Sequence, residues 1–412
     1  MLKPDIHTDI DHDVAPPVYP ARILKSDAEA IEAAHQVAHF AAQEASLRDR
    51  EHKLPWAEIE LFTTRGLGSL FIPKAFGGPQ VSFGTITEVF KIISKADPAL
   101  AQIPQNHFSI LNVIQQVASP EQQSRLFASV LAGWRIGNAG PERGSKHTLE
   151  LKARLTTEGN HLRLNGEKFY STGALFAHWV TVKALDDAGC QVMVFVRRGT
   201  PGLRIINDWS GFGQRTTASG TVILNNVRVT ADDVLPSWQL SERPSLQGAY
   251  AQLIHAAIDM GIALSAIADL KQFVVDKTRP WPEAGITEAR HEPYLVADVG
   301  RLEVELHAAG ALLRKAAETL DVLRGQVIDT QKAAQASIAV AQAKVLTSEI
   351  ALAVSEKLFE LAGSRATLAD FNLDRHWRNA RTHTLHDPVR WKVHAIGNYH
   401  LNGIAPARHA WI

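Results

Sequence analysis

The spacing of apolar residues changes period twice along this chain, and few architectures accommodate that change. Over residues 26–133 the repeat is helical: an Ala-rich run at 28–51 carries apolar residues three and four apart, followed by runs at 55–66 and 85–94. Ser119-Pro120-Glu121-Gln122 adds a capping-box start with proline at the first helical position. Between about 134 and 235 the period falls to two, with short β-branched and apolar runs at 151–155, 162–164, 168–170, 179–182, 192–196 and 221–224. Asn165-Gly166 is the strongest hairpin signal; 186–189, 199–202 and Asn225-Asn226 mark further turns, a pattern that predicts a small sandwich or barrel. Helical spacing returns in longer segments at 252–275, 295–323 and 331–362, with Gly363 as a C-terminal cap and a shorter helix at 369–378, which suits a helical bundle. The fold class expected is α+β. Its units are a loose N-terminal tail at 1–25, a helical domain at 26–133, a β domain at 134–240 and a C-terminal helical bundle at 241–412.

Charge and composition narrow the function. The 412 residues are 45% hydrophobic, enough for a large core, and 43 basic side chains balance 43 acidic ones. With no net field, neither nucleic acid nor an anionic membrane surface is an expected partner, and a small anionic ligand has to be held by local charges. One cysteine, Cys190, excludes an intramolecular disulfide framework and any multi-cysteine metal site. The first twenty residues lack a basic region followed by an apolar one, and no window reaches the ~18 consecutive apolar residues of a membrane span. A reducing cytoplasm is the expected setting.

The chemistry concentrates near the C-terminus. Within 378–388, His383, His386 and Asp387 place two imidazoles and a carboxylate in five positions. A histidine titrates near ~6.5, and an adjacent carboxylate fixes its tautomer and raises its proton affinity, so the group is equipped to deliver a proton. A solvated, His-rich helix end has the same spacing. His107 and His178 stand among apolar residues, where a lone histidine is more often a satisfied wall residue than a ligand. No pair among the 18 histidines has a metal-site context, so no metal is expected. Arg143-Gly144-Ser145-Lys146 lacks the Gly-rich frame of a phosphate loop and reads as a loop at the edge of the β domain.

Several separated segments resemble the acyl-CoA dehydrogenase superfamily. Gly66-Leu67, Ile72-Pro73 and Phe76-Gly77-Gly78 are similar to its N-terminal signature. Leu164-Asn165-Gly166-Glu167-Lys168 with Ser171-Thr172-Gly173-Ala174 is similar to its flavin-facing strand pair, as is Gly213-Gln214-Arg215 with Ser219-Gly220 to a further strand segment. The run 382–388, together with 104–108, 169–179 and 208–220, resembles the superfamily's flavin-dependent monooxygenases, typified by dibenzothiophene monooxygenase and most closely the SfnB-type sulfur-acquisition oxidoreductases.

The resemblance implies site residues. Thr172 would address flavin N5 and O4 through its hydroxyl and backbone N–H, Trp209 would lie against the flavin, and Ser219 would face flavin or substrate. Asn138 would lie near the flavin edge and hydrogen-bond peroxide or substrate. His386 and His383 would contact the flavin hydroperoxide and deliver the proton, with Asp387 orienting an imidazole. Asn106, Gln102 and His107 would line the substrate pocket; Asn106 and Gln102 replace a tyrosine and a histidine of dibenzothiophene monooxygenase, which implies a different substrate. Arg279 would reach a flavin phosphate across a subunit boundary. Arg365 would hold a terminal phosphate where dehydrogenases leave room for an adenylate, favouring FMN over FAD.

The function implied is transfer of one oxygen atom from molecular oxygen, through a flavin C4a-hydroperoxide, to a small organosulfur compound. Reduced FMN would come from a separate flavin reductase, and the chain would assemble as a homo-oligomer, a tetramer by the superfamily's habit. Two alternatives stay open. One is an FAD-dependent acyl-CoA dehydrogenase using Asp387 as its base, although an aspartate is a methylene shorter than the glutamate of that family and misplacement by about an ångström costs on the order of 10²-fold in rate. The other is a protein that binds reduced flavin without turnover.

Overall fold

The computed structural model describes residues 14–144, 147, 150–159 and 161–412. Among the described residues seven α-helices come first: α1 (Asp27–Ala42), α2 (Ala45–Glu51), α3 (Trp56–Thr64), α4 (Phe83–Ala96), α5 (Pro98–Gln102), α6 (Gln105–Val117) and α7 (Pro120–Leu131). Their starts are chemically marked. Ser26 and Ser82 cap α1 and α4, Asp97 accepts from two backbone N–H groups of α5 ahead of Pro98, and the capping box at Ser119 and Gln122 forms as its residues dictate. The Ala-rich run expected as one helix is two, broken at Gln43-Glu44. The break turns α2 so that Arg48 is buried between Glu58 at 2.6 Å and Asp97 at 2.8 Å. Residues 14–25 are not a loose tail: Arg22 N–H donates to Thr64 O, Leu24 is buried, and Gly66, at φ +85°, leaves room for the Arg22 carbonyl that a Cβ would strike. Residues 1–13, the rest of the expected tail, lie outside the described residues, as do Ser145 and Lys146 of the 143–146 loop.

Eight strands follow among the described residues: β1 (Ile136–Ala139), β2 (Arg154–Glu158), β3 (His161–Lys168), β4 (Trp179–Leu185), β5 (Gln191–Arg197), β6 (Leu203–Ile206), β7 (Thr221–Val229) and β8 (Val234–Leu235). They are hydrogen-bonded in the order β6-β7-β3-β2-β4-β5-β8, with β1 lying parallel along the first half of β4; β2 meets β4 only at Arg154–Leu185, so that β6-β7-β3-β2 and β4-β5-β8 are joined at a single residue pair. Asn165-Gly166 is not a hairpin. It lies inside β3, where the register against β7 shifts between Leu164 and Gly166, and Gly166 at φ +154° forms the bulge. Asn225-Asn226 likewise sits inside β7, with Asn226 at φ +52° and its N–H donating to Asn165 Oδ1. The two Asn signals mark one paired irregularity, because φ > 0 is as much a requirement of a bulge as of a tight turn.

The last third contains α8 (Gln239–Glu242), α9 (Gln247–Asp276), α10 (Pro293–Leu323), α11 (Thr330–Ala362), α12 (Asp374–Thr384) and α13 (Val389–Asn402). The short helix expected at 369–378 is shifted: a 3-10 turn occupies Ala369–Phe371, and α12 runs six residues further, so His383 lies within a helix. The final helix, α13, has no counterpart in the periodicity reading. α9 and α11 are long and apolar enough by composition to cross a bilayer, yet here they are the bundle's central helices, packed on each other, with α4 and α10 against them. A single apolar core runs through all three parts of the chain.

Two buried histidines fasten this assembly. His107 Nδ1 accepts the Ile136 N–H at 3.0 Å, so its Nε2–H donates to Gly68 O at 2.7 Å, tying α6 to β1. His178 does the same between Arg135 N–H and Pro17 O. Burial pushes each down to about 4. A histidine whose folded pKa is depressed contributes stability that is full above the unfolded value near ~6.5 and lost as pH falls toward the folded one. For His107 the loss is on the order of 3 kcal/mol. The urea midpoint should therefore fall between pH 7 and pH 4.5, and His107→Gln should flatten that dependence while lowering the midpoint at pH 7. An unchanged slope would show that His107 is not held neutral.

Candidate functional site

α12 is placed by its own polar side chains. Arg378 pairs with Asp49 of α2 at 2.7 Å and with Asp374 at 2.7 Å, and donates to Phe212 O. Asn379 Oδ1 accepts the Gln214 N–H at 2.6 Å. Gly213 makes the junction possible, since a Cβ there would stand within 2.0 Å of the Arg378 carbonyl oxygen, at 1.9 Å. The loop between β6 and β7 is thus pressed onto α12, and two polar groups meet near the seam.

The first is a row of hydroxyls. Thr172 and Ser219 oxygens are 2.7 Å apart, Ser219 and Thr217 2.8 Å, and Thr217 Oγ1 donates to Gln214 O. Both Thr172 and Ser219 are buried. The Thr172 backbone N–H, expected to face a flavin, already donates to Tyr170 O at 2.9 Å, which leaves the hydroxyl as the group available to a ligand. Trp209 is half-buried, its Nε1–H donating to Gln214 O, with Tyr170 beside it. Asn138 on β1 joins this region through its backbone N–H, which donates to Thr172 O at 3.1 Å. Among the described residues, Ser171 Oγ, both amide atoms of Gln214 and Thr382 Oγ1 are buried along the same seam without a protein partner. Donors and acceptors of that kind fit the carbonyl and ring-nitrogen edge of an isoalloxazine.

The second group is ionisable and lies where α5, α9, α11 and α12 converge. His383 is buried; its Nδ1 lies 2.5 Å from Asp259 Oδ1, and its Nε2 lies 3.1 Å from both Gln102 Oε1 and His255 Nδ1. Asp259 Oδ2 accepts from Lys344 Nζ at 2.5 Å and from Ser348 Oγ at 2.7 Å. Burial would raise the Asp259 carboxyl, but the Lys344 ammonium and His383 outweigh it and hold it at about 2. Burial lowers His383, opposed by Asp259; it lowers His255 well below its ordinary value, aided by the charges of His386 and His383.

His386 stacks its ring on His255 with centroids 4.0 Å apart, and its side chain is 36% exposed, so it is the member that meets the outside. Asp387, expected to orient an imidazole, is 3.4 Å from His386 Nδ1 and only 2.6 Å from Lys392 Nζ. The closer partner is the ammonium. Within this group the carboxylate that holds an imidazole at short range is Asp259, on His383. Despite burial, His386 and the neighbouring ammonium groups keep the Asp387 carboxyl below the usual carboxylate range, which makes it a poor base for removing a carbon-bound proton.

The other expected residues are distributed differently. Gln102 belongs to the histidine group, and Asn106 is half-buried at the start of α6. His107 lines a cavity with Ile103 and Pro104, but both of its ring nitrogens are taken by backbone groups, so it has no free nitrogen to offer a ligand. Arg279 and Arg365 are exposed at one end of the bundle: Thr278 Oγ1 donates to Ala362 O, and Lys277 and Arg365 both approach the ring of Phe371. Sequence reasoning missed Asp259, His255, Lys344 and Lys392. The signal was there in part: His255 and Asp259 stand at i and i+4 in an otherwise apolar helix, one face of which must therefore meet something polar. Among the described residues no group of three or more His, Cys, Asp or Glu side chains is arranged to hold a metal ion.

Comparisons with known proteins bear on this geometry. Residues 27–134 match the acyl-CoA dehydrogenase N-terminal domain and residues 253–391 the C-terminal domain. The chain is 33% identical to a dibenzothiophene monooxygenase of Rhodococcus erythropolis over 87% of its own length and 90% of that protein. It is 30% identical to a probable FMNH2-dependent monooxygenase, SfnC, of Pseudomonas putida over 92% and 96%. The crystal structure of FMN-bound TdsC from Paenibacillus sp. A11-2 superposes with a TM-score of 0.89 at 30% identity, covering 93% of this chain and all of that one.

Removing one partner of a buried ion pair leaves an uncompensated charge, typically at a cost of about 3–5 kcal/mol. Lys392→Met should therefore lower the thermal midpoint strongly at pH 7.5. The loss should shrink toward pH 4.5, because Asp387 without its ammonium partner takes up a proton more readily. A deficit independent of pH would place the cost in packing rather than in the ion pair.

Proposed function

The chain belongs to the acyl-CoA dehydrogenase family, among its flavin-dependent monooxygenases, and we propose that it uses reduced FMN and molecular oxygen to oxygenate a small organosulfur compound in sulfur acquisition. The observation that carries this reading is the three-histidine group behind an ion-paired Asp387. A dehydrogenase needs an unencumbered carboxylate poised to take a carbon-bound proton. Here the carboxylate at that position is tied to Lys392 and kept ionised, whereas imidazoles, the side chains suited to passing protons near neutral pH, surround it.

Reduced FMN, when bound, supplies the electrons that activate oxygen. The protein's own tasks are to hold the ring, exclude water and move protons. Thr172 and Ser219, with the partnerless Ser171, Gln214 and Thr382 side chains, would hold the polar edge of the ring against Trp209, with Asn138 at its rim. Arg365 and Arg279 would hold the phosphate; neither forms an ion pair among the described residues, and both lie at a bundle end, where Arg279 of one subunit would serve its neighbour. A guanidinium at Arg365 grips a terminal phosphate in two bonds and occupies the space an adenylate would need, which supports FMN over FAD. His386 would exchange protons with the reacting atoms, and His383 would stand behind it. Gln102 against His383 and Asn106 on α6 would shape a pocket unlike that of a tricyclic sulfide oxygenase.

A separate reductase would supply the reduced flavin, in the cytoplasm where such reductants are made. A homotetramer is supported by apolar side chains left exposed along α10 and α13, among them Val304, Val322, Trp391 and Leu401. Chemically reduced FMN, oxygen and a small sulfide, sulfinate or sulfonate panel should give an oxygenated product from the wild-type protein. His386→Ala should bind FMN within a few-fold of wild type but release hydrogen peroxide instead, since loss of a general acid costs on the order of 10²–10⁴-fold. Acyl-CoA oxidation that survives His386→Ala and disappears in Asp387→Asn would overturn the proposal.

A further inference from the structure

Lys344 and Asp259 are both fully buried, form an ion pair with each other, and have no part in holding a ring or a phosphate. A charge pair at zero exposure in the middle of two apolar helices is costly unless every lone pair and proton is used. Here nearly all are: one carboxylate oxygen takes Lys344 and Ser348, the other takes His383. That arrangement leaves the imidazole no choice of tautomer. An ionised carboxylate only accepts, so the proton of neutral His383 must sit on Nδ1, and Nε2 is left as a lone pair. The contact of 3.1 Å between His383 Nε2 and His255 Nδ1 must then be donated by His255, which puts the His255 proton on Nδ1 as well, and the Gln102 amide, also 3.1 Å away, must turn its N–H2 rather than its oxygen toward the same lone pair. Both N–H bonds point the same way, from His255 through His383 to Asp259.

We propose that Asp259 and Lys344 are positioning residues that lock His383 as the Nδ1–H tautomer and set its proton affinity, making Nε2, through His255, the only atom at which this buried imidazole gains or gives a proton. The proposal rests on the monooxygenase reading for its kinetic consequence and on geometry alone for the tautomer. The proton balance is simple. A proton arriving at His255 Nε2 is matched by transfer of the His255 Nδ1 proton to His383 Nε2. The charge then rests on His383 as an imidazolium beside the Asp259 carboxylate, and the reverse shift returns the proton to His255, whose ring centroid lies 4.0 Å from that of His386. Asp259 stays ionised throughout, so nothing is oxidised or reduced in the step.

The two positioning residues act on His383 with opposite sign. The charged and titratable groups around it are Asp259 and His255 from α9, Lys344 from α11, His386 and Asp387 beyond α12, and Lys392 from α13; Gln102 from α5 is neutral. Asp259→Asn removes the carboxylate in contact with the ring while the ammonium groups remain, so His383 binds its proton less tightly. Lys344→Met removes a cation and leaves the carboxylate uncompensated, so His383 binds its proton more tightly.

The test is the pH profile of coupling, measured as oxygenated product per reduced FMN consumed. The alkaline limb should move to lower pH in Asp259→Asn and to higher pH in Lys344→Met, each by roughly half a unit or more, while Ser348→Ala, which changes no charge, leaves it in place. A purely structural role would lower activity without moving the limbs apart, and limbs that shift together or not at all overturn the proposal. Should a charge variant fail to fold, the tautomer is read in the wild-type chain by 15N NMR of labelled histidines, with the His383 signals assigned by their loss in His383→Gln. A protonated Nδ1 with a bare Nε2 at neutral pH supports the proposal, and the reverse pattern overturns it. Absence of any oxygenated product from the wild-type protein would count against the monooxygenase reading instead, and the NMR result would still decide the tautomer.

Discussion

The pairing of Lys344 with Asp259, sealed between α9 and α11, is the interaction on which the rest of the site depends. Two charges in a dry interior are tolerated only when geometry satisfies them, and each additional partner tightens that requirement. Ser348 and His383 complete the carboxylate's shell, and His383 in turn brings α12 to the centre of the bundle and meets Gln102 from the N-terminal helices. One buried carboxylate thereby fixes how three otherwise separate stretches of chain converge. The apolar core supplies most of the stability, but it would tolerate small slides of these helices; the polar network does not.

A second constraint sets the seam between sheet and bundle. Gly213 lies so close to the Arg378 carbonyl that no side chain fits, and Asn379 reaches back to bond the Gln214 backbone. The loop that follows β6 therefore carries Trp209, Thr217 and Ser219 to the edge of α12, while the segment after β3 brings Thr172 against Ser219. Hydroxyls and amide atoms without a protein partner lie on the sheet side of this seam, and imidazoles on the helix side. The sheet side is suited to a flat polar ring, and the helix side to proton traffic.

Much of this was legible from the chain itself. Period and capping residues gave the α-β-α order, and the start of α7 at Ser119 and the end of α11 at Gly363 follow from residue type alone. The histidine run was recognisable too, because two imidazoles and a carboxylate in five positions serve few structural needs. The failures have physical causes. Asn165-Gly166 satisfies the φ > 0 requirement of a bulge as well as of a hairpin, and only its pairing with Asn226 across two strands tells them apart. Asp259 escaped notice because α9 is buried on most sides, and Lys344 because α11 also carries exposed polar residues such as Gln335, Glu349 and Glu356, among which one more charged side chain looks ordinary. The role expected for Asp387 went to a residue distant in sequence, since adjacency along the chain placed it beside His386 but Lys392, one turn into α13, reached it first.

The account rests on oxygen chemistry at a site built on a dehydrogenase scaffold, and isotope labelling tests that most directly. The purified protein would be supplied with reduced FMN under 18O2 and a small organosulfur substrate, and the product analysed by mass spectrometry. The account predicts one 18O atom in each product molecule. A product whose new oxygen comes from water, or no oxygenated product together with oxidation of an acyl thioester in the absence of oxygen, would contradict it.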